Sequence, residues 1–183
     1  MNKNYVFLAD GFEEVEAITP VDVMRRAGLD VKTVAIGEKS EVIGAHGVKV
    51  IADLLFNEVD FADSNWLILP GGMPGAQNLY DYKPLTEQLK KHASKKGNIA
   101  AICASPAVVL GQLGLLKGKD ATCYPGFENL LKGANHLNDS VVSRDNLITA
   151  NGPATALKFS LAIIAAEIGI DEAENISSQM MNK

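Results

Sequence analysis

The stretch Ile99-Ala100-Ala101-Ile102-Cys103-Ala104-Ser105-Pro106 decides how the rest of the chain is read. Ile99–Cys103 is a short aliphatic run without strict in/out alternation, as in strands covered on both faces. A helix-start signal follows at once, because Ser105 can cap and Pro106 suits a first turn. The same alternation recurs on either side. Tyr5–Ala9, Val31–Ile36, Trp66–Leu69 and Leu147–Ala150 read as strands, and Glu13–Ala27, Lys83–Lys96, Pro106–Leu115 and Pro153–Ile168 as helices. In Lys83–Lys96, Leu85, Leu89 and His92 fall at i, i+4 and i+7, with lysines on the other side. This order predicts an α/β fold, a mostly parallel sheet with helices on both faces. Glu41–Ile51, around Ala45-His46-Gly47, reads as a β-hairpin inserted between the units. No Ser/Gly-rich linker, charge block or internal repeat divides residues 1–183, so a single domain is expected. Strand order is not readable.

Composition narrows the function classes. Seventeen basic against 22 acidic residues give a net charge of −5, and no Lys/Arg cluster exceeds the Lys90–Lys91 and Lys95–Lys96 pairs. A nucleic-acid partner, which needs a basic stripe, is not expected. Two cysteines cannot build a disulfide framework. The start, MNKNYVFLAD, is too short in apolar residues for a signal peptide. Ile99–Leu116 carries no charge, yet Ser105, Pro106, Gly111, Gln112 and Gly114 fit a buried strand plus helix better than a membrane span. A soluble, cytoplasmic protein is expected.

Ligands of such sheets bind beyond the carboxyl ends of the strands. The segments to inspect are therefore Asp10–Glu16, Pro70–Gly75, Cys103–Pro106, Tyr124-Pro125 and Asn151-Gly152-Pro153. Cys103 sits at a strand-to-helix elbow, a turn that needs small residues two before and two after it. Ala101 and Ser105 meet that need, as glycines do in G-x-S-x-G. A helix N-terminus aimed at the sulfur favours thiolate, so Cys103 is expected to be acid-shifted and reactive rather than an inert core cysteine. Cys123 has no elbow, and a structural role within a short strand is expected. None of the three histidines, His46, His92 and His136, is placed by local pattern beside the thiol, so a Cys–His–Asp triad is unsupported.

Glu13 and Glu14 read as ordinary first-turn acids. Glu16 lies one turn further in, near Ile18 and Val21, ahead of the helix-kinking Pro20. Apolar surroundings would keep it protonated and able to donate to a thiolate, though the residues alone leave that open. Pro70-Gly71-Gly72-Met73-Pro74-Gly75 follows a strand, and its paired glycines allow backbone N–H groups to approach a ligand as an oxyanion hole does, or form only a turn. Neither a Walker loop nor G-x-G-x-x-G is present. No His/Cys/Asp/Glu group has metal-ligand spacing, so neither a metal nor a cofactor is expected.

Together these residues resemble the ThiJ/PfpI superfamily, in particular its parkinsonism-associated deglycase branch. The motifs are Glu13-Glu14-x-Glu16 with Pro20 to Gly28, Leu69-Pro70-Gly71-Gly72 with Gly75 to Leu79, the Ala100–Ala104 elbow, and Asn151-Gly152-Pro153. The resemblance runs from Val6 to about Ile168. It implies a flavodoxin-like sandwich, usually a homodimer. It implies Cys103 as reactive cysteine, Glu16 as the protonated glutamate bonded to it, and Gly71, Gly72 and the Ala104 N–H as backbone donors. Arg26 would lie near the pocket and dimer interface. Two positions depart from the pattern. Tyr124 stands where some members have a histidine, which counts against peptidase chemistry, and His46 stands where relatives often carry an arginine.

Two functions follow from different classes. One is a cofactor-independent glyoxalase or deglycase acting on small dicarbonyls or glycated adducts. The other is a redox-responsive stress protein in which oxidation of Cys103 is the event. A lower thiol pKa does not by itself speed carbonyl attack. A drop of ~3 units raises the thiolate fraction at pH 7 about 30-fold, while nucleophilicity falls roughly 15- to 30-fold. The backbone donors must supply the rest.

Overall fold

The computed structural model describes residues 3–182. Its strands are β1 (Lys3–Leu8), β2 (Asp30–Ala35), β3 (Glu41–Ile43), β4 (Lys49–Ile51), β5 (Leu54–Leu55), β6 (Ser64–Leu69), β7 (Asn98–Ile102), β8 (Asp120–Ala121), β9 (Asn135–His136), β10 (Val141–Arg144) and β11 (Leu147–Ala150). The α-helices are α1 (Glu14–Arg26), α2 (Gly75–Asp81), α3 (Lys83–Ser94), α4 (Ala156–Ile168) and α5 (Ile170–Gln179). A seven-stranded sheet runs β10-β11-β7-β6-β1-β2-β5, parallel except for β10. The hairpin is present as β3 and β4, paired Glu41 to Ile51 and Ile43 to Lys49.

Both faces of the sheet are buried, which is why the strands do not alternate with polar residues. Along β1, β6 and β7, Val6, Leu8, Trp66, Ile68, Ala100 and Ile102 face one core, with Phe159, Ile163 and Met24 from α4 and α1. Tyr5, Phe7, Leu67, Leu69, Ile99 and Ala101 face the other, with Leu79, Leu85 and Leu89 from α2 and α3. The period of two along each strand assigns alternate residues to the two cores.

The helix expected over Pro106–Leu115 is shorter and wider, a π-helix over Pro106–Gly111 followed by turns. Ser105 does not cap it. Its hydroxyl donates instead to the Pro70 carbonyl at 2.6 Å. Cys123 lies just beyond β8 rather than inside a strand, and α2, α5 and the short strands were not evident from periodicity. Among the described residues no helix is long and apolar enough to cross a membrane.

Strand order places the site. The chain steps from β1 to β2 on one side, then returns to β6 on the other side of β1. The strand order thus reverses beside β1, a switch point at the carboxyl edge of the sheet. Cys103 follows β7, the next strand over.

Candidate active site

Cys103 holds a left-handed backbone, φ 63°, which a non-glycine residue rarely adopts and which costs of order 1–3 kcal/mol. Neighbouring strands impose it. Its N–H donates to the Ala150 carbonyl at 2.9 Å, and its carbonyl accepts from Tyr124 N–H at 2.8 Å. The residue is buried, 9% exposed, and packs in the same core as Ile102 and Ala104. Loops from three strand ends meet around it. Glu13 N–H donates to the Gly71 carbonyl at 3.0 Å and Gly75 N–H to the Gly11 carbonyl at 3.2 Å.

Glu16 comes from the first turns of α1 and is fully buried. Its Oε2 accepts the Gly71 N–H at 2.8 Å. Oε1 is buried without a hydrogen-bond partner, and the carboxyl neighbours the Cys103 thiol. Gly71 is what lets these groups approach. A Cβ there would lie 2.7 Å from both Cys103 Cβ and Glu16 Oε2, and 3.0 Å from the Ala104 nitrogen. Gly72 adopts φ 85°, where a Cβ would strike the Glu13 nitrogen at 2.4 Å.

The electrostatics differ from the sequence expectation. Burial raises Glu16 to about 7. Burial, followed by the charge of Glu16, pushes Cys103 up to about 12, while the Gly72 and Ala104 N–H groups pull it down. The thiol is thus not acid-shifted by a helix terminus, because desolvation outweighs the donors. The two groups titrate as a pair, and between about 7 and about 12 that pair holds one proton. Donor geometry decides where it sits. The sulfur receives N–H groups from Gly72 and Ala104. The carboxyl receives only the Gly71 N–H, on Oε2. An ionised carboxylate would leave Oε1 charged, buried and unmatched. Counting donors places the charge on sulfur and the proton on Glu16, whereas burial alone places them the other way round.

The other expected residues divide. Gly72 and Ala104 point N–H groups at the sulfur. Gly71 does not offer a free donor, because Glu16 occupies its N–H. Tyr124 joins Cys103 through its backbone, and its half-exposed ring lies over Gly152 rather than replacing a histidine at the sulfur. Arg26 does not reach the site within the chain. It lies ten residues beyond Glu16 on α1, ~15 Å along the axis, and pairs with Asp22 at 2.8 Å.

Cys123 is buried with its pKa pushed up to about 11 by burial. It packs in the core opposite to that of Cys103. His92 is structural, its Nε2–H donating to the Asn65 and Asn98 carbonyls at 3.1 Å each.

His46 and Glu14 form a contact that no sequence spacing signalled. Glu14 accepts His46 N–H at 2.8 Å and pairs with its Nδ1 at 2.8 Å, which docks the hairpin on the start of α1. Glu14 is therefore more than a first-turn acid. Among the described residues, Glu13, Glu14 and His46 bring ligand atoms within 4.8 Å of one another, where a cation would find donors.

The DJ-1/PfpI family model matches residues 2–166 of the chain. Protein DJ-1 homolog B of Arabidopsis thaliana is 39% identical over 93% of this chain, which spans about two fifths of that relative, 39%. A Caenorhabditis elegans protein named a glutathione-independent glyoxalase is 32% identical over 90% of this chain and 87% of its own. The solved structure of oxidized Toxoplasma gondii DJ-1 superposes with a TM-score of 0.95 at 36% identity, covering 99% of this chain and 98% of its own.

Proposed function

Because this chain belongs to the DJ-1/PfpI family, we propose that it is a cofactor-independent glyoxalase or deglycase that converts small dicarbonyls, free or as glycated adducts, to hydroxy acids. The observation that carries this reading is one juxtaposition. A cysteine held at φ 63° has two N–H groups on its sulfur and a buried carboxyl beside it with one oxygen unmatched. The glyoxalase name of the Caenorhabditis elegans relative supports the same class of chemistry.

The Cys103 thiolate attacks the aldehyde carbon, and Glu16 gives its proton to the oxygen, forming a hemithioacetal. The Glu16 carboxylate then removes the hydrogen on that carbon, and the electron pair moves toward the neighbouring carbonyl. The hydroxyl proton of the resulting enediolate passes to the neighbouring oxygen, and return of the Glu16 proton to the second carbon leaves a thioester, which water hydrolyses to hydroxy acid and free thiol. As charge leaves sulfur, Gly72 and Ala104 can follow it to the adjacent oxygen. A well-aimed donor of this kind is worth ~2.7–4 kcal/mol in comparable sites.

The test is methylglyoxal with purified protein and no glutathione. Lactate should form, and should be lost in Cys103→Ala. No lactate from the wild type would overturn the reading. A redox reading rests on the oxidized Toxoplasma gondii relative. It would be favoured if peroxide converts Cys103 to sulfinate while methylglyoxal is untouched.

A homodimer belongs to this proposal. Val15 and Ile18 on α1 are 49% and 41% exposed, beside the Glu14-docked hairpin whose Val48 and Ile51 are 52% and 66% exposed. Sedimentation should give a dimer, and Ile18→Glu should give a monomer.

A further inference from the structure

We propose that Ser105 is a positioning residue for the Cys103–Glu16 pair, acting through the Pro70–Gly71 peptide to hold the Glu16 proton on Oε1, the carboxyl oxygen that Gly71 does not engage. The inference rests on the reading of Cys103 and Glu16 as the reacting pair, but its test needs no turnover.

One peptide group carries two bonds of opposite sense. Its carbonyl, from Pro70, accepts the Ser105 hydroxyl at 2.6 Å. Its N–H, from Gly71, donates to Glu16 Oε2 at 2.8 Å. Ser105 and Glu16 are both fully buried, so water does not compete for either bond. A hydroxyl donating to the carbonyl polarises the peptide and makes its N–H a better donor. The carboxyl oxygen that receives this N–H is disfavoured as the protonated one, since two hydrogens would face each other. The proton is left to Oε1, the buried oxygen with no hydrogen-bond partner, on the carboxyl that neighbours the Cys103 thiol.

Packing makes the clamp rigid. The Gly71 backbone lies so close to Cys103 Cβ, Glu16 Oε2 and the Ala104 nitrogen that even a methyl group there would fall 2.7–3.0 Å from them. A tilt of this peptide would therefore reach the elbow and the carboxyl together. The hydroxyl that prevents the tilt comes from the residue two beyond the cysteine. The site thus closes a ring from Ser105 through the peptide and Glu16 back to Cys103. This explains why Ser105 bonds the Pro70 carbonyl rather than capping the helix that follows.

The experiment is a pH titration of iodoacetamide alkylation, read by mass on the Cys103 peptide, in wild type, Ser105→Ala, Glu16→Gln and the double variant. Circular dichroism checks that each is folded, and Ser105→Gly removes the same hydroxyl if Ser105→Ala is not. Loss of the hydroxyl should raise the midpoint by roughly half to one unit, about three- to tenfold less thiolate at pH 7. Ser105→Thr, which keeps the hydroxyl, should restore it. The decisive arm is the double variant. A glutamine has one oxygen and one nitrogen, so no proton remains to be assigned, and removing Ser105 should add nothing to Glu16→Gln. A folded Ser105→Ala or Ser105→Gly protein that titrates with the wild type would overturn the proposal. A shift that persists at full size in the Glu16→Gln background would also overturn it, since the hydroxyl would then act on the elbow directly. Should lactate formation fail while this pattern holds, the catalytic reading falls and the positioning role stands.

Discussion

Replacing Glu16 by Gln tests where the charge of the pair resides, and the direction of the effect carries the answer. In the wild type the first proton leaves the pair at about 7. If the charge then sits on sulfur, alkylation of Cys103 rises through that pH. In Glu16→Gln the thiol titrates alone. Burial raises it from its ordinary ~8.5, with the Gly72 and Ala104 N–H groups acting against burial. The midpoint should therefore move up by at least about one unit, equivalent to ~1.4 kcal/mol. The opposite placement gives the opposite sign. If the carboxylate holds the charge, the wild-type thiol stays neutral until about 12, and Glu16→Gln removes a repelling charge and lowers the midpoint. The assay is the initial rate of iodoacetamide incorporation at the Cys103 peptide across pH 5–11. A downward shift would refute the donor-count reasoning, and coincident midpoints would remove Glu16 from the chemistry.

Stability should respond to the same carboxyl. Its pKa is raised on folding, so its contribution is intact below the unfolded value near 4.5 and is lost as pH climbs through about 7. Urea midpoints should show Glu16→Gln gaining on the wild type across that window by as much as roughly 3 kcal/mol. Gly71→Ala should cost about 1–3 kcal/mol of stability in urea melts. It should also reduce lactate formation ~100-fold, because its Cβ would separate the thiol from the carboxyl. Under peroxide, Cys103 should reach sulfinate without a disulfide to Cys123, since the two side chains pack in opposite cores. Non-reducing peptide mapping would detect the linked pair if that is wrong.

The elbow was legible because it is local. Small residues around Cys103 and a strand-to-helix change of pattern are properties of consecutive residues, and they permit the left-handed φ that neighbouring segments impose on Cys103. The parallel sheet was legible for a similar reason, since strands buried on both faces must be apolar throughout. The hydrogen bonds were not. Gly71 was expected to offer its N–H to a substrate, yet it faces Glu16, 55 positions away along the chain. Ser105 looked like a cap and instead reaches Pro70. Glu14 looked like a first-turn acid and instead holds His46.

What the sequence determined by itself is thus the alternation of elements, the class of sheet, and which small residues allow a strained cysteine at a strand end. Each depends on backbone propensity and on periodicity over a few neighbouring residues. Tertiary structure alone decided which donor meets which acceptor, and with that the sharing of one proton between Cys103 and Glu16. Desolvation and hydrogen bonding depend on groups brought together from distant strands. A thiol that local reasoning made acidic is, in its folded surroundings, governed by a buried carboxyl and by the peptide that holds it.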